Sequence, residues 1–463
     1  MENERFASRL GFLLIAAGCA VGVGNVWKFP YVAGQSGGGL FILVYLLMLL
    51  LFGFPVLAME FSVGRAAQRS PVLAFRALER PGTKWHLNGL AGMLGCYGLM
   101  SFYTVVTGWM LHYFVASARG DWAGLSAEEI AGLFPQYLQS TPRMGFWLAF
   151  VVVAGTFVCS FGVQKGLERV TKAMMTGLLA LLVVLALHGL TMDGARAGLE
   201  FYLVPSLERL RSVGVARTVV AAAAQAFFTL SLGIGAMAIF GSYVGKERSL
   251  VKESATVIAL DTFVALAAGF VIFPACFTYG VDQAAGPGLI FIALPNVFAH
   301  MPGGRFWGSL FFLFMSFAAF STILAVFEML IKCTMDLSGW SRKKSSAVNC
   351  LVLGAISVPC LLGFGTIRGA FLDLFGGTVL DFEDFLVSNV ALPLGALFYV
   401  LFCVSKRGWG WENFAAEATC GEGGKLPAWA APVAKLVRPY CTWVLPALLL
   451  AIFAIGIWDK FFA

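Results

Sequence analysis

The sequence predicts an all-α integral membrane protein of about eleven transmembrane helices, and three observations carry that reading. Of 463 residues, 59% are hydrophobic and only 12% charged, with a mean hydropathy of +0.83. That is too little charge to cover the outside of a water-soluble fold. Apolar runs of about 20 residues, the length that crosses a bilayer as a helix, recur along the whole chain. Two of these runs are broken by glycine at corresponding places in the two halves of the chain. The high counts of Gly, 53, and Phe, 43, suit close helix contacts and lipid-facing bulk.

Taken in order, the candidate spans lie near 11–35, 40–63, 88–116, 146–163 and 169–190, then 218–243, 254–280, 304–331, 347–364, 382–404 and 440–461. This divides one transmembrane domain, 1–463, into a first repeat at about 8–190, a second at about 218–404 and an extra helix at about 440–461. Arg65, Arg69, Arg76, Arg80 and Lys84 share the loop after the second span with a single acid, Glu79. The positive-inside rule then sets the N-terminus in the cytoplasm, and an odd helix count sets the C-terminus outside. Lys165, Arg169 and Lys172 fall on the inner side under the same topology, as do Lys246, Arg248 and Lys252, and Arg342, Lys343 and Lys344. Leu289–Ala299, between Pro287 and Pro302, is apolar but too short to span, as expected of a re-entrant hairpin or lid. Ser405–Arg438 is polar and shows no sign of a separate domain, and Met1–Arg9 leads into the first span without a cleavage site.

The net charge of +7 is explained by basic loops, so no nucleic-acid partner is expected. The ten cysteines have no CxxC spacing and lie mostly in apolar runs, which reads as small buried hydrophobes. There is no HExxH, and His86, His112, His188 and His300 are too far apart for a local metal motif. The chain is therefore not expected to be an enzyme or to hold an organic cofactor. Its oligomeric state is left open.

The first span contains Gly18-Cys19-Ala20-Val21-Gly22-Val23-Gly24-Asn25 and ends in Lys28-Phe29-Pro30, and each glycine disfavours helix by roughly 1 kcal/mol. The sixth holds Phe228-Thr229-Leu230-Ser231-Leu232-Gly233-Ile234-Gly235 at mid-span. For any single glycine, close helix packing explains its presence. Paired interruptions in two halves are instead the mark of a secondary transporter built as a 5+5 inverted repeat, with ions and substrate bound at the broken helices one and six.

At these residues the chain resembles the neurotransmitter:sodium symporter family, above all its bacterial sodium-coupled amino-acid transporters of eleven or twelve helices. The resemblance runs from Ser8 to about Leu401 and rests on SRLGF, AVGVGNVWKFPY, Gly37–Gly39, QAFFTLSLGIGA and the FAAFST run of span eight. It implies two sodium ions, a small-molecule amino-acid substrate and a place among the lipids of a bacterial inner membrane. One ion would be held by the carbonyl of Ala20, by Asn25, Thr229 and Asp261, and by the substrate carboxylate. The other would be held by carbonyls of Gly18, Val21 and Ala318 with the hydroxyls of Ser321 and Thr322. Many animal relatives carry a neutral Asn where this chain has Asp261 and need chloride to balance the sodium charge. Some bacterial relatives place an acid one turn later, at Ala265 here. The fixed charge of Asp261 implies that chloride is not required.

The same resemblance implies that the substrate carboxylate meets the half-helix amides near Val23 and Gly24, at a positive dipole end, and the hydroxyl of Tyr103. The side chain would sit among Cys19, Leu99, Tyr103, Phe228, Ser231, Ile234, Ser321, Ile323 and Val326, beside Ala20 and Thr229, none of them charged. That lining favours a neutral, hydrophobic or aromatic L-amino acid. Gly22, where amine-transporting relatives carry an acid, argues against amines without a carboxylate. The alternative is a carrier of small amino or imino acids or of betaine-like solutes. Lys28 and Asp384 match the outer gate pair of the family. Arg5 with Asp336 is the expected inner pair, although the arginine of the family aligns with Asn3 here.

Overall fold

The computed structural model of the chain describes residues 6, 8–282, 288–367, 369–420 and 436–462. Every regular element among them is helical. Nine helices are long and apolar enough to cross a membrane: Gly39–Ala67, His86–Arg119, Thr141–Ser160, Val163–Leu190, Leu250–Tyr279, Gly304–Ser338, Arg342–Leu362, Val379–Val404 and Leu436–Trp458. These are spans two to five and seven to eleven. Span one is a broken pair, Arg9–Ala20 and Gly24–Gln35, bent by 54°. Span six is Val215–Thr229 followed, across an unwound stretch, by Ala236–Gly241.

The breaks have local causes. Gly233 and Gly235 adopt φ of +98° and +80°, a region that only glycine enters freely. A side chain at Gly233 would also collide with the Leu392 carbonyl, so spans six and ten cross backbone to backbone there. Ser231 joins them at φ +50°, a left-handed conformation that costs about 1 kcal/mol or more in a non-glycine residue. Apart from Val163–Glu168, the widened turns among the described residues lie just ahead of a proline. Gly24–Lys28, Leu49–Gly53, Leu289–Ala293, Leu386–Ala391 and Tyr440–Val444 are π-helical, and each ends two residues before Pro30, Pro55, Pro295, Pro393 or Pro446. A proline lacks an N–H and crowds the carbonyl four residues back, and an i→i+5 turn relieves both.

Spans three and eight pack together, with spans four, five and nine against them; broken span one packs on spans eight, seven and five, and broken span six chiefly on span two. Short helices Ala127–Gln139 and Leu289–His300 pack on one another at one end. In this contact Phe134 stacks on Phe291 with centroids 4.7 Å apart. At the opposite end the fully buried Arg65 of span two pairs with Glu417 at 2.7 Å and donates to the carbonyls of Glu417 and Arg248. It fastens the helix Trp411–Thr419 beneath spans two and seven. All ten cysteines are free, and only Cys350 and Cys420 are less than fully buried.

Candidate substrate and ion sites

Helix one stops at Ala20, so its last carbonyls have no partner within the helix and carry the negative end of its dipole. Span eight meets them with two hydroxyls. Ser321 Oγ lies 2.9 Å from the Ala318 carbonyl and 3.4 Å from that of Val21. Thr322 Oγ1 lies 3.2 Å from the carbonyl of Gly18, 3.4 Å from Cys19, and 3.5 Å from both Val21 and Ala318. Gly18, Val21, Ala318, Ser321 and Thr322 thus converge as a buried set of uncharged oxygens. Hard oxygen donors in such number suit an alkali cation.

A second cluster forms where the helix breaks face span seven. Asp261, wholly buried, accepts hydrogen bonds from Asn25 Nδ2 at 2.7 Å and from Thr229 Oγ1 at 3.1 and 3.2 Å. Asn25 Oδ1 accepts from the Gly22 amide at 3.0 Å, and its second lone pair is open to a further contact. Ala20 lies beside this cluster on the cavity wall. No lysine, arginine or histidine pairs with Asp261 among the described residues. A buried carboxylate with neutral partners is a strong local field awaiting a positive charge. Tyr45 of span two, absent from the sequence reading, donates to the same carboxylate at 3.5 Å.

Beside Thr322 is a small cavity of about 20 Å³ lined by Cys19, Ala20, Gly22, Gly24, Leu99, Tyr103, Phe228, Ser231, Thr322 and Leu392. None of these is charged. Tyr103 Oη accepts from the Val23 amide at 3.0 Å, which sets the hydroxyl at the opening of the second half-helix. A Cβ on Gly22 would come within 2.5 Å of Tyr103 Oη and 2.6 Å of Thr322 Oγ1, so the site has no room for a side chain there.

Other expected pocket residues lie elsewhere. Ile234, Ile323 and Val326 are buried outside the lining. The Ile234 and Ile323 side chains face glycines of the neighbouring spans three and four, with Cγ2 atoms 2.8 and 3.2 Å from where a Cβ on Gly95 or Gly155 would stand. Leu392 of span ten takes the wall instead. Glu60 was also missed: buried in span two, it accepts a hydrogen bond from the Gly233 amide and holds the unwound segment of span six. Its signal was an acid inside the apolar run 40–63, near its end and shortly before Arg65.

Above the cavity is an open vestibule of about 310 Å³ that reaches Trp27, Lys28, Tyr31 and Asp384 and also includes Val23. Gly24, Tyr103 and Phe228 line both spaces and so form the partition between them. Lys28 Nζ stands 3.7 Å from Asp384 and 3.9 Å above the centre of the Phe228 ring, bracing that partition from the vestibule side. At the other end Asp336 pairs with Lys332 at 3.3 Å and accepts from the Ser70 amide at 2.9 Å. Arg5, its expected partner, lies outside the described residues.

The model of the sodium:neurotransmitter symporter family matches residues 3–134 and 134–455. The chain belongs to that family. An uncharacterised sodium-dependent transporter of Bacillus subtilis (strain 168) is 38% identical over 399 residues, 86% of this chain and 87% of the relative. One of Methanocaldococcus jannaschii is 31% identical over 423 residues, 87% of this chain and 82% of the relative. The solved structure of MhsT in complex with L-phenylalanine superposes with a TM-score of 0.85 at 36% identity, covering 98% of this chain and 99% of that one. This symporter is thus a multi-pass membrane transporter dependent on sodium, not an enzyme, with the inverted-repeat fold expected from its glycine breaks.

Proposed function

We propose that this symporter carries a neutral, hydrophobic or aromatic L-amino acid into a bacterial cell together with sodium, by alternating access and without a requirement for chloride. The uncharged cavity beside a buried carboxylate carries the proposal. An apolar side chain fits walls such as Cys19, Leu99 and Leu392, and a zwitterion's carboxylate fits the Gly24 amide and the Tyr103 hydroxyl at the start of the second half-helix. MhsT, similar over nearly the whole chain, is described in complex with L-phenylalanine. Two sodium ions occupy the two oxygen clusters, with Asp261 supplying the negative charge that chloride supplies elsewhere. The N-terminus is cytoplasmic, and the vestibule at Lys28 opens to the outside of the inner membrane. Leu392 narrows the cavity, which favours a second reading: a carrier of small imino acids or betaine-like solutes.

The test is thermal stabilisation of the purified protein by each of the twenty amino acids and betaine, in sodium and in potassium, since a ligand that binds only the folded state raises its melting temperature. Stabilisation by Leu, Phe, Trp or Tyr in sodium alone, unchanged when chloride is replaced by gluconate, is the expected result. Stabilisation by proline or betaine alone selects the second reading, and shifts independent of sodium overturn the ion sites.

A further inference from the structure

A second space lies away from the transport path, at the vestibule end, where span three ends and span four begins. It is a groove of about 540 Å³ lined by His112, Val115, Ala116, Arg119, Asp121, Pro142, Arg143, Phe146 and Trp147. Arg119 is in the last turn of span three and Arg143 in the first turn of span four. Neither guanidinium has a hydrogen-bond or ion-pair partner among the described residues. The carbonyl end of span three does not occupy Arg119, because Arg305 already caps it through the Ala118 carbonyl at 2.9 and 2.7 Å.

Span four begins with no side-chain cap and no acid in its first turn, and since Pro142 has no N–H its leading donors are the amides of Thr141 and Arg143. Its positive dipole end therefore faces the same groove, with Arg143 adding to the charge instead of offsetting it. His112 is held flat on Tyr137, 4.1 Å between centroids, and so gives the groove a rigid wall. On the other side the groove opens onto the exposed aromatic stripe Phe146, Phe150, Phe157 and Phe161, the lipid-facing side of span four. Two unpaired cations and an uncapped helix start thus stand at the head of an apolar track.

We propose that this groove binds an anionic phospholipid, its phosphate between Arg119, Arg143 and the span-four amides and its acyl chains along the Phe146–Phe161 stripe. Guanidinium groups match phosphate in bidentate fashion, and helix starts favour the same anion. Asp121, on the rim, opposes the phosphate and sets the affinity below its maximum. The inference rests on the membrane-spanning fold alone and is independent of which substrate is carried.

The full-length protein in detergent is titrated with short-chain phosphatidylglycerol, short-chain phosphatidylcholine and inorganic phosphate while its melting temperature is followed. Phosphatidylglycerol raises it, and the other two do not at matched concentration. In R119Q/R143Q the half-maximal phosphatidylglycerol concentration rises by roughly thirtyfold, from two lost cation contacts at a membrane surface. D121N lowers that concentration, a gain that a misfolded variant cannot produce. Equal stabilisation by phosphatidylcholine, full stabilisation by inorganic phosphate, or an unchanged phosphatidylglycerol response in both R119Q/R143Q and D121N would overturn the proposal.

Discussion

Replacing Asp261 by Asn separates an ion ligand from a structural carboxylate. The carboxylate is buried and accepts bonds from Asn25 and Thr229. The substitution weakens hydrogen bonds worth about 1.5–3 kcal/mol each with a charged acceptor, but it also removes a buried charge whose desolvation costs several kcal/mol. The two effects oppose, so the melting temperature without sodium should change little or rise. With sodium there is no such offset. Unit charges ~4 Å apart at an effective dielectric of about 20 attract by about 4 kcal/mol, and about 1.4 kcal/mol is a factor of ten in affinity. The sodium concentration for half-maximal stabilisation should therefore rise by at least ~10-fold and by up to about a thousandfold. The assay is melting temperature against sodium concentration at constant ionic strength, with and without chloride. A D261N protein that melts lower without sodium yet keeps the wild-type sodium midpoint would refute the reasoning and mark Asp261 as structural.

Gly22→Ala should abolish binding of labelled amino acid while the protein still elutes as a folded species, because the new methyl overlaps Tyr103 Oη and Thr322 Oγ1. Ser321→Ala with Thr322→Val removes the hydroxyls from the cluster with the Gly18, Val21 and Ala318 carbonyls, so the sodium dependence of uptake should become less steep than in the parent protein. Lys28→Ala breaks a half-exposed pair worth about 0–1 kcal/mol to stability; the melting temperature should hardly move, while bound substrate exchanges faster through the vestibule. Glu129 closes a capping box with Ser126, and those hydrogen bonds hold its carboxyl below the ordinary range. Its contribution to the Ala127–Gln139 helix is therefore full above the ordinary carboxylate pKa and lost as pH falls through the depressed one; protection of the Ile130 amide, relative to its intrinsic exchange rate at each pH, should fall there, and Ser126→Ala should remove the pH dependence.

The two helix breaks were legible because glycine at mid-span has a local cost that no packing pattern hides. Their conformations were not: Ser231 enters the left-handed region only because its neighbours Gly233 and Gly235 turn the chain there. Span ends were read short for a related reason. Hydropathy stops at the last apolar residue, as at 331, whereas span eight remains helical through Lys332, Thr334 and Asp336 to Ser338. The short helix Ala127–Gln139 had a readable sign in Ser126-Ala127-Glu128-Glu129, a capping sequence outside any apolar run. Leu392 had none. Its place on the cavity wall follows from the backbone contact between Gly233 and span ten, which joins residues far apart in the chain and leaves no periodic trace.

Coupling between the proposed ligands can be traced to a single strand of backbone. Gly18, Cys19 and Val21 turn their carbonyls to Thr322; Gly22 donates to Asn25, which donates to Asp261; Val23 donates to Tyr103. Each proposed site therefore borrows part of one unwound segment, and none can be ordered without constraining the others. An ion that fixes this segment removes entropy that the substrate would otherwise have to remove itself, so the second ligand binds more tightly than the first alone would. Linkage makes the effect reciprocal: the factor by which sodium tightens the amino acid must equal the factor by which the amino acid tightens sodium. A continuous helix would hold its carbonyls in i→i+4 bonds and offer neither the oxygens nor the shared flexibility.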